Sequence, residues 1–434
     1  MSTIQKLYSI FRKHPAISTD SRNISQGSIF FSLKGPSFNG NEFAESALEK
    51  GAAFAVIDQE EFKKDERFIL VGDCLKTLQH LALHHRRTLK IPVLAITGSN
   101  GKTTTKELVK SVLAEKFRTL ATKGNLNNHI GVPLTILSIG DDTEFAVIEM
   151  GANHQKEIES YCLIAEPDYG LITNVGKAHL EGFGGFEGVK KGKGELYRWI
   201  HESGKMIFRN ENNSHLKEMS SYMSKEKIYG YGTDSSCSTQ GKLTGIQPFL
   251  SIEWKCGDQR GKFDSQIIGE YNFENILAAI AIGNYFGVEP DQIKHAIASY
   301  SPDNSRSQII RKEKNTIILD AYNANPTSME AALKNFESLD SAQKVICIGD
   351  MAELGEDSER EHEKIIQLLK KIRHELLLLV GPQFGNFKNQ IDCVHFQDST
   401  SAAQWLKDQA LHGKTFLIKG SRSSKMELLA SAID

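Results

Sequence analysis

Seven consecutive residues, Gly98–Thr104, have the composition of a phosphate-binding loop. Glycines let backbone N–H groups close around phosphate oxygens, and the N-terminus of a following helix adds partial positive charge. Lys102 would reach the terminal phosphates of a nucleotide, and the Thr103 hydroxyl would ligate Mg²⁺. The usual upstream glycine is Ile96 here. The position between a strand pattern and a helix pattern still favours a phosphate site over a chance glycine-rich turn.

Further chemically capable side chains follow the apolar runs that come later in the chain. Glu149 ends one such run, and a carboxylate there would face the phosphate loop and could hold Mg²⁺. His179 follows the next run, but a lone histidine is more often a packed or surface residue than a ligand. Lys193 stands beside two other lysines, and this pattern by itself is typical of a solvated charge run.

Short apolar runs alternate with helical patterns in the central part of the chain. Buried strands are predicted at 93–97, 145–148 and 170–173. Alternating strands and helices predict a doubly wound sheet with its ligand crevice at the carboxyl ends of the strands. An antiparallel hairpin attached to this sheet is predicted from the alternation over 250–256 and a strand near Phe263.

Two more α/β segments flank this central part. The first contains strand patterns at 29–31 and 54–57 and helix patterns at 42–50 and 75–89. The last contains four strand patterns separated by helices, at 316–319, 344–348, 375–380 and 415–418. Ile91-Pro92 and the polar segment 301–305 mark the boundaries. We therefore predict three domains, over residues 1–90, 91–302 and 303–434.

Composition excludes several classes of protein. A hydrophobic fraction of 40% and a charged fraction of 24% are ordinary globular values, which excludes a disordered chain. The 52 basic and 54 acidic side chains nearly cancel, so no global field attracts nucleic acid or an anionic membrane. The six cysteines are scattered without a Cys-x-x-Cys pair, which suits a reducing cytosol. Without a signal-peptide core or a spanning run of about 20 apolar residues, we expect a cytoplasmic protein. The basic cluster 84–87 is interpreted as a solvated helix end.

Several motifs resemble segments of the Mur ligases, in the order in which that family has them. The loop TGSNGKTTT at 97–105 is the short form typical of the family, including the missing upstream glycine. Further motifs look like the branch that adds D-alanyl-D-alanine: GNLNNHIGVP at 124–133, EMGANH at 149–154, NVGKAHLEGF at 174–183, DAYNANP at 320–326, GDMAELG at 349–355 and KGSR at 419–422. The resemblance spans roughly residues 18–425, which is nearly the whole chain.

The resemblance implies a three-domain α/β ligase that depends on ATP and Mg²⁺. A small N-terminal domain would hold the uridine nucleotide, and a central P-loop domain with a hairpin extension would bind ATP. A Rossmann-like C-terminal domain would close over the nucleotide and bind the incoming dipeptide. The implied reaction joins D-alanyl-D-alanine to UDP-N-acetylmuramoyl-tripeptide through an acyl phosphate, in peptidoglycan precursor synthesis.

The resemblance also assigns roles to individual residues. ATP would be bound by Gly98, Ser99, Asn100, Gly101, Lys102, Thr103, Thr104, Asn272, Asn275, Arg306 and Asp320. Substrates would be bound by Ser21, Arg22, Asn128, Asn323 and Asn325. The catalytic residues would be Lys102, Glu149, His179 and Lys193, and the metal ligands Thr103, Glu149, His179 and Lys193. In this family a histidine and a lysine carbamylated by CO₂ hold a second magnesium. Carbamylation turns an ammonium that repels Mg²⁺ into an anionic oxygen donor.

Three alternatives stay open. The chain could be another ligase of the superfamily, such as a folylpolyglutamate synthase or a MurE-type ligase that adds a free amino acid; the segments 322–326 and 127–131 argue against both. It could be a nucleotide-dependent switch or a degenerate scaffold. Arguing against the scaffold are the intact residues Lys102, Glu149, His179 and Lys193. We expect small-molecule substrates, no nucleic acid, no membrane insertion and a monomer. The third residue of the tripeptide is left open.

Overall fold

The computed structural model describes residues 3–247, 249–341 and 343–434. Its strands form three large sheets that follow one another along the chain, together with one two-stranded ribbon. Helices cover these sheets, so the predicted α/β class is confirmed. Within the described residues, no helix combines the length and hydropathy needed to cross a bilayer.

The N-terminal sheet has four parallel strands in the order β1-β2-β5-β6. Short apolar runs build it, because residues such as Phe31 and Val56 are fully buried. The strands are β1 (Ile17–Ser18), β2 (Ile29–Phe31), β3 (Lys34–Gly35), β4 (Phe38–Asn39), β5 (Phe54–Ile57) and β6 (Phe68–Leu70), of which β3 and β4 form the separate ribbon. The helices are α1 (Thr3–Phe11), α2 (Ala44–Glu49) and α3 (Cys74–Thr88).

The end of α3 corrects one sequence-based prediction. We expected residues 84–87 to be solvated, but His85 and Arg86 are buried against the central part of the chain. The Arg86 guanidinium donates to the Ala165 carbonyl at 2.8 Å and pairs with Asp168 at 3.1 Å. His85 Nε2 lies 2.9 Å from the Ile139 carbonyl oxygen. These residues therefore fasten the N-terminal sheet to the central one, a long-range role that local charge did not reveal.

The central sheet has nine strands in the order β15-β14-β13-β12-β11-β10-β7-β9-β8. The strands are β7 (Val93–Thr97), β8 (Thr119–Ala121), β9 (Phe145–Glu149), β10 (Tyr169–Ile172), β11 (Met206–Asn210), β12 (Ile228–Gly232), β13 (Thr239–Gly245), β14 (Ser251–Cys256) and β15 (Gln259–Asp264). Strands β7 to β13 run parallel to one another. Strands β14 and β15 form the predicted antiparallel hairpin, and β14 also pairs antiparallel with β13. The order places β7 between β9 and β10, so the segments after these three strands meet at one edge.

Nine helices among the described residues accompany the central sheet: α4 (Lys102–Ala114), α5 (Gly131–Leu137), α6 (Glu157–Ala165), α7 (Leu180–Phe183), α8 (Phe186–Lys193), α9 (Glu195–Glu202), α10 (Ser214–Met219), α11 (Phe273–Tyr285) and α12 (Pro290–Ser299). Helix α11 is apolar on all sides and almost wholly buried, as such a composition requires. It packs beside α4, the helix that begins inside the phosphate loop. The loop is therefore attached to a helix that packs against the buried core.

The C-terminal sheet has the order β16-β17-β21-β18-β19-β20. Its strands are β16 (Gln308–Arg311), β17 (Thr316–Asp320), β18 (Lys344–Gly349), β19 (Leu376–Val380), β20 (Val394–Phe396) and β21 (Thr415–Lys419). Its helices are α13 (Pro326–Ser338), α14 (Ser358–Leu369), α15 (Pro382–Gly385), α16 (Ser399–Gln409) and α17 (Glu427–Ala432). The four predicted strands form the centre of this sheet. The two unpredicted strands, β16 and β20, are short edges without a long apolar run.

Candidate active site

The loop Gly98–Thr104 connects β7 directly to α4, as predicted. Gly98 has φ of 142° and Gly101 has φ of 77°, values that favour glycine. A Cβ atom at Gly98 would overlap the Thr173 hydroxyl, and one at Gly101 would collide with Asn275. The two glycines are therefore required by backbone conformation and by close packing.

The segment after β10 fixes the shape of this loop. The Ser99 N–H donates to the Asn174 carbonyl at 3.0 Å, and the Asn100 N–H donates to the Asn174 side chain, also at 3.0 Å. The Thr173 hydroxyl donates to the Asn100 carbonyl at 2.6 Å. Because three hydrogen bonds reach it from a neighbouring strand, the loop is preorganised for a ligand.

Lys102 lies at the first position of α4, and its side chain folds back over the loop. Its ammonium donates to the carbonyls of Gly98 at 2.8 Å and Ser99 at 3.2 Å. Loss of hydration lowers the pKa of Lys102 to about 8, with a further contribution from the charge of Arg306, while Glu149 opposes the shift. A phosphate anion in the loop would supply the counter-charge that this ammonium lacks.

Glu149 ends β9 next to the loop and is 1% exposed. Its Oε1 accepts hydrogen bonds from the Thr103 hydroxyl at 3.2 Å and from the Asn127 amide at 2.8 Å. Its Oε2 is buried without a hydrogen-bond partner. A hydroxyl beside a carboxylate with a free oxygen is a donor set that suits Mg²⁺. Within the described residues, no three or more His, Cys, Asp or Glu side chains cluster as a metal site would require. The pair described here differs from such a cluster because one of its two members is a threonine.

Lys106 is a residue of this site that sequence reasoning missed. It is fully buried, and its ammonium donates to the Thr122 carbonyl at 2.5 Å. The ammonium also lies 3.0 Å from Glu107 Oε1, a partly exposed carboxylate, and 3.7 Å from the buried Glu149 Oε2. The sequence feature that could have indicated Lys106 is its position one helical turn after Lys102, because this spacing places both lysines on the same face of α4. Lys106 thus balances the buried charge of Glu149.

Replacing Lys106 with methionine is expected to lower the free energy of unfolding by about 3 kcal/mol, because Glu149 then keeps a buried charge without its cation. Chemical denaturation followed by circular dichroism measures this change. Lys110→Met is the matched control, since Lys110 is an exposed lysine one turn further along α4. Equal stability of the two variants would contradict the assigned role.

Lys193 lies at the end of α8 and is 1% exposed, so it is not part of a solvated charge run. Its ammonium donates to the Ala152 carbonyl at 3.0 Å and sits 5.0 Å from the centre of the Phe183 ring. Burial lowers the pKa of Lys193 well below its usual value, and the nearby charge of Lys102 lowers it further. Both causes favour the neutral amine, which is the form that reacts with CO₂.

His179 connects the central and C-terminal sheets. It precedes α7 in a left-handed backbone conformation with φ of 54°, and its Nδ1 lies 2.5 Å from Glu353 Oε2. This contact lowers the pKa of Glu353. Nearby, the Asn325 amide donates to the Asn100 side chain at 2.7 Å, so the C-terminal part also contacts the phosphate loop. Glu353 was not predicted, although it lies within the motif at 349–355.

A cavity of about 750 Å³ lies between the central and C-terminal sheets, and His179, Asn100 and Asn325 are among the residues that line it. Of the predicted site residues, it is lined by Ser99, Asn100, Gly101, Lys102, Thr104, Asn128, Glu149, His179, Asn272, Asn275, Arg306, Asp320, Asn323 and Asn325. Gly98 and Thr103 lie in the loop behind this surface, and Lys193 lies behind Ala152. The cavity also contains polar residues that were not predicted, including Asn127, Glu157, Tyr322 and Lys419.

The C-terminal wall of the cavity carries a cation over an aromatic ring. The guanidinium of Arg306 lies 3.7 Å from the centre of the Tyr322 ring, and its Nε is buried without a hydrogen-bond partner. Asp320 accepts a hydrogen bond from the Lys419 ammonium at 2.6 Å. An anion in the cavity could therefore engage a guanidinium that stacking has already oriented.

Asn272 and Asn275 form a second, interlinked pair at the start of α11. The Asn275 amide donates to Asn272 Oδ1 at 2.8 Å, and its own oxygen accepts from the Thr105 hydroxyl at 3.0 Å. The pair is buried and adjoins the phosphate loop through Gly101. The predicted nucleotide residues of all three segments thus border one space.

The predicted substrate residues fall into two groups. Asn128 lines the cavity, and its side-chain oxygen accepts the N–H of Gly131, the first residue of α5, at 2.9 Å. Asn325 caps α13 through the Ser328 N–H at 3.0 Å. Ser21 and Arg22 lie apart from the cavity in an N-terminal turn, where Arg22 pairs with Asp20 at 2.9 Å.

Comparison with known proteins adds independent findings. Three family models match consecutive parts of the chain: the Mur ligase family catalytic domain at residues 15–95, the Mur ligase middle domain at 96–283 and the Mur ligase glutamate ligase domain at 305–422. The UDP-N-acetylmuramoyl-tripeptide–D-alanyl-D-alanine ligase of Bacillus subtilis is 34% identical over 95% of this chain and 91% of its own length.

Solved structures agree with the sequence matches. MurF from Acinetobacter baumannii has a TM-score of 0.85 at 29% identity and covers 96% of this chain and 92% of its own. MurF ligase from Thermotoga maritima in complex with ADP has a TM-score of 0.83 at 26% identity and covers 96% of both chains. Because the family models span most of the chain and the curated relative aligns with it over nearly its whole length, the chain belongs to the Mur ligase family.

Proposed function

We propose that this chain is an ATP-dependent ligase that adds D-alanyl-D-alanine to UDP-N-acetylmuramoyl-tripeptide. The observation that carries this proposal is the meeting of the phosphate loop, Glu149 and His179 in one cavity between two domains. The Bacillus subtilis relative is named for these two substrates, which supports their choice. The ADP in the Thermotoga maritima structure supports the choice of nucleotide.

Each predicted domain has a distinct part in this proposal. Residues 1–90 would hold the uridine end of the acceptor, with Ser21 and Arg22 on that side. Residues 91–302 would bind ATP, and residues 303–434 would close over it and present the dipeptide. The contacts of His179 with Glu353 and of Asn100 with Asn325 support such a closure. We place the reaction in the cytoplasm and expect the chain to act as a monomer.

The first chemical step brings two anions together. The terminal carboxylate of the tripeptide attacks the γ-phosphorus of ATP, which gives an acyl phosphate and releases ADP. Lys102 and the backbone N–H groups of the loop would offset the charge that builds up on the transferred phosphoryl group. Arg306, aligned by Tyr322, would add positive charge from the C-terminal side. Positioning and charge stabilisation would supply most of the rate.

The second step forms the amide bond. The amine of D-alanyl-D-alanine attacks the acyl carbon, and the tetrahedral intermediate expels phosphate. Water would hydrolyse the acyl phosphate, so the reaction requires a closed site. The C-terminal residues that contact the loop and His179 would provide that closure.

The residues present also fit a metal. Thr103 and Glu149 would hold Mg²⁺ beside the phosphates, and His179 with a carbamylated Lys193 would hold a second ion. Bound Mg²⁺ supplies positive charge that reduces the repulsion between phosphate and carboxylate. The buried, neutral-leaning amine of Lys193 supports the modification, because CO₂ adds to an amine with loss of one proton.

Purified protein given ATP, Mg²⁺ and the uridine-linked tripeptide is expected to release phosphate only when D-alanyl-D-alanine is also present. A coupled phosphate assay, with mass spectrometry of the product, measures this dependence. Glutamate and single amino acids serve as controls for the folylpolyglutamate synthase and MurE-type alternatives. Parallel reactions with lysine or diaminopimelate at the third tripeptide position identify the preferred acceptor. ATP turnover that ignores both building blocks would instead support a nucleotide-dependent switch.

A further inference from the structure

A second cleft, of about 500 Å³, lies next to the main cavity between the central and C-terminal sheets. Val175 and Thr327 line both spaces, so the two adjoin. One wall of the cleft comes from the segment after β10, and the opposite wall comes from α13 and α14. We call it the Lys177 cleft, after the lysine on its central wall. None of the proposed chemical steps uses the residues of this cleft.

Two lysines of the Lys177 cleft share a single carboxylate. The ammoniums of Lys177 and Lys364 both donate to the same oxygen of Glu361, at 2.9 and 2.7 Å. Glu361 is 2% exposed, whereas the lysine side chains are 41% and 51% exposed. The other acidic residue of the cleft, Glu330, has its own cation in Lys334 at 2.6 Å. One carboxylate thus anchors two ammoniums, whose remaining N–H groups can donate to a second anion.

The remaining surface of the cleft is largely apolar. Phe186, Pro326, Ile365 and Leu368 contribute to it, and they leave room for short aliphatic side chains. The ligand that fits this surface is therefore small, has one anionic end and carries small apolar groups. Its other end must reach the main cavity past Val175 and Thr327.

We propose that the Lys177 cleft binds the incoming dipeptide and fixes its carboxylate on Lys177 and Lys364. Its methyl groups pack on the apolar wall, and its amine faces the phosphate loop. Two residues span at most about 7 Å, so the assignment requires the amine to enter the main cavity at the shared residues Val175 and Thr327. This assignment rests on the proposed function and names the site of its second substrate. It also explains why two cations converge on a buried glutamate at a domain boundary.

The test compares D-alanyl-D-alanine with its C-terminal amide in wild type and in Lys364→Gln. The amide lacks the anionic end, so its KM with wild type is expected to be about 10–100-fold higher than that of the dipeptide. Lys364→Gln is expected to raise KM for the dipeptide by a similar factor. KM for the amide, for ATP and for the uridine-linked tripeptide should stay within about twofold. The variant thereby loses discrimination between the two dipeptides.

Lys371→Gln is the matched control, because Lys371 is an exposed lysine just beyond α14 that does not line the cleft. It should retain all wild-type constants. Unchanged KM for the dipeptide in Lys364→Gln, equal use of amide and dipeptide by wild type, or a change confined to the tripeptide would overturn the assignment. Ligation of the dipeptide that persists in those cases leaves the proposed function standing. Absence of any dipeptide-dependent ligation in wild type would overturn both.

Discussion

Replacing Lys102 with alanine is expected to reduce ATP-dependent phosphate release by at least about 10²–10³-fold, which is the cost of losing one preorganised charge-stabilising group. The ammonium lies inside the loop, where it donates to the carbonyls of Gly98 and Ser99. A phosphate that binds in the loop would therefore contact it directly. Its contribution grows as charge moves onto the transferred group, so the turnover number should fall more than the affinity for ATP. Steady-state phosphate release and direct nucleotide binding separate the two effects.

The fold of the Lys102→Ala variant should be intact, because Lys102 donates only to carbonyls of its own loop. Circular dichroism and thermal unfolding check this expectation. Lys110→Ala, an exposed position further along α4, should keep full turnover. Undiminished turnover in Lys102→Ala would contradict the assignment of Gly98–Thr104 as the phosphate loop.

The sequence predicted the local parts of the site well, because each was encoded by neighbouring residues. Gly98 and Gly101 predicted a loop whose backbone conformation favours glycine, and the apolar run before the loop predicted a buried strand. Glu149 was recognised as the polar end of a second strand. Its distance from the loop depended on strand order, which adjacent residues do not encode. Doubly wound topology made that proximity an expectation, and the pairing of β7 with β9 supplies it.

The residues that sequence reasoning missed owe their roles to distant partners. Lys106 has no local sequence feature that distinguishes it from an exposed helical lysine, because its ammonium contacts Thr122 and Glu149, which lie far from it in the sequence. Glu353 depends on His179, which lies in another domain. His85 and Arg86 belong to a local pattern that predicts a solvated helix end, because their carbonyl partners lie more than fifty residues away. Backbone acceptors carry no signature in the amino-acid sequence, so burial at these sites could not be foreseen.

The family resemblance implied that Lys193 binds a metal, whereas the neighbouring lysines indicated a solvated side chain. The structure explains this difference. A run of lysines at the end of a helix normally faces water, but this side chain turns inward beneath Ala152 and onto the Phe183 ring. An unmodified ammonium there is costly, because burial and the charge of Lys102 both oppose it. In the proposed function, carbamylation would replace this cation with an anion that the charge of Lys102 attracts and that could hold a metal.

Replacing Lys193 with alanine is expected to lower ligation by at least about 10²-fold, because the site loses the anionic oxygen that a carbamate provides. Formate or acetate at high concentration should restore part of the activity by occupying the space left by the side chain. Lys191→Ala, an exposed neighbour on α8, should behave as wild type with and without added carboxylate. Wild type should lose activity in CO₂-free buffer and regain it on addition of bicarbonate. Full activity of Lys193→Ala would show that this lysine serves packing and not metal binding.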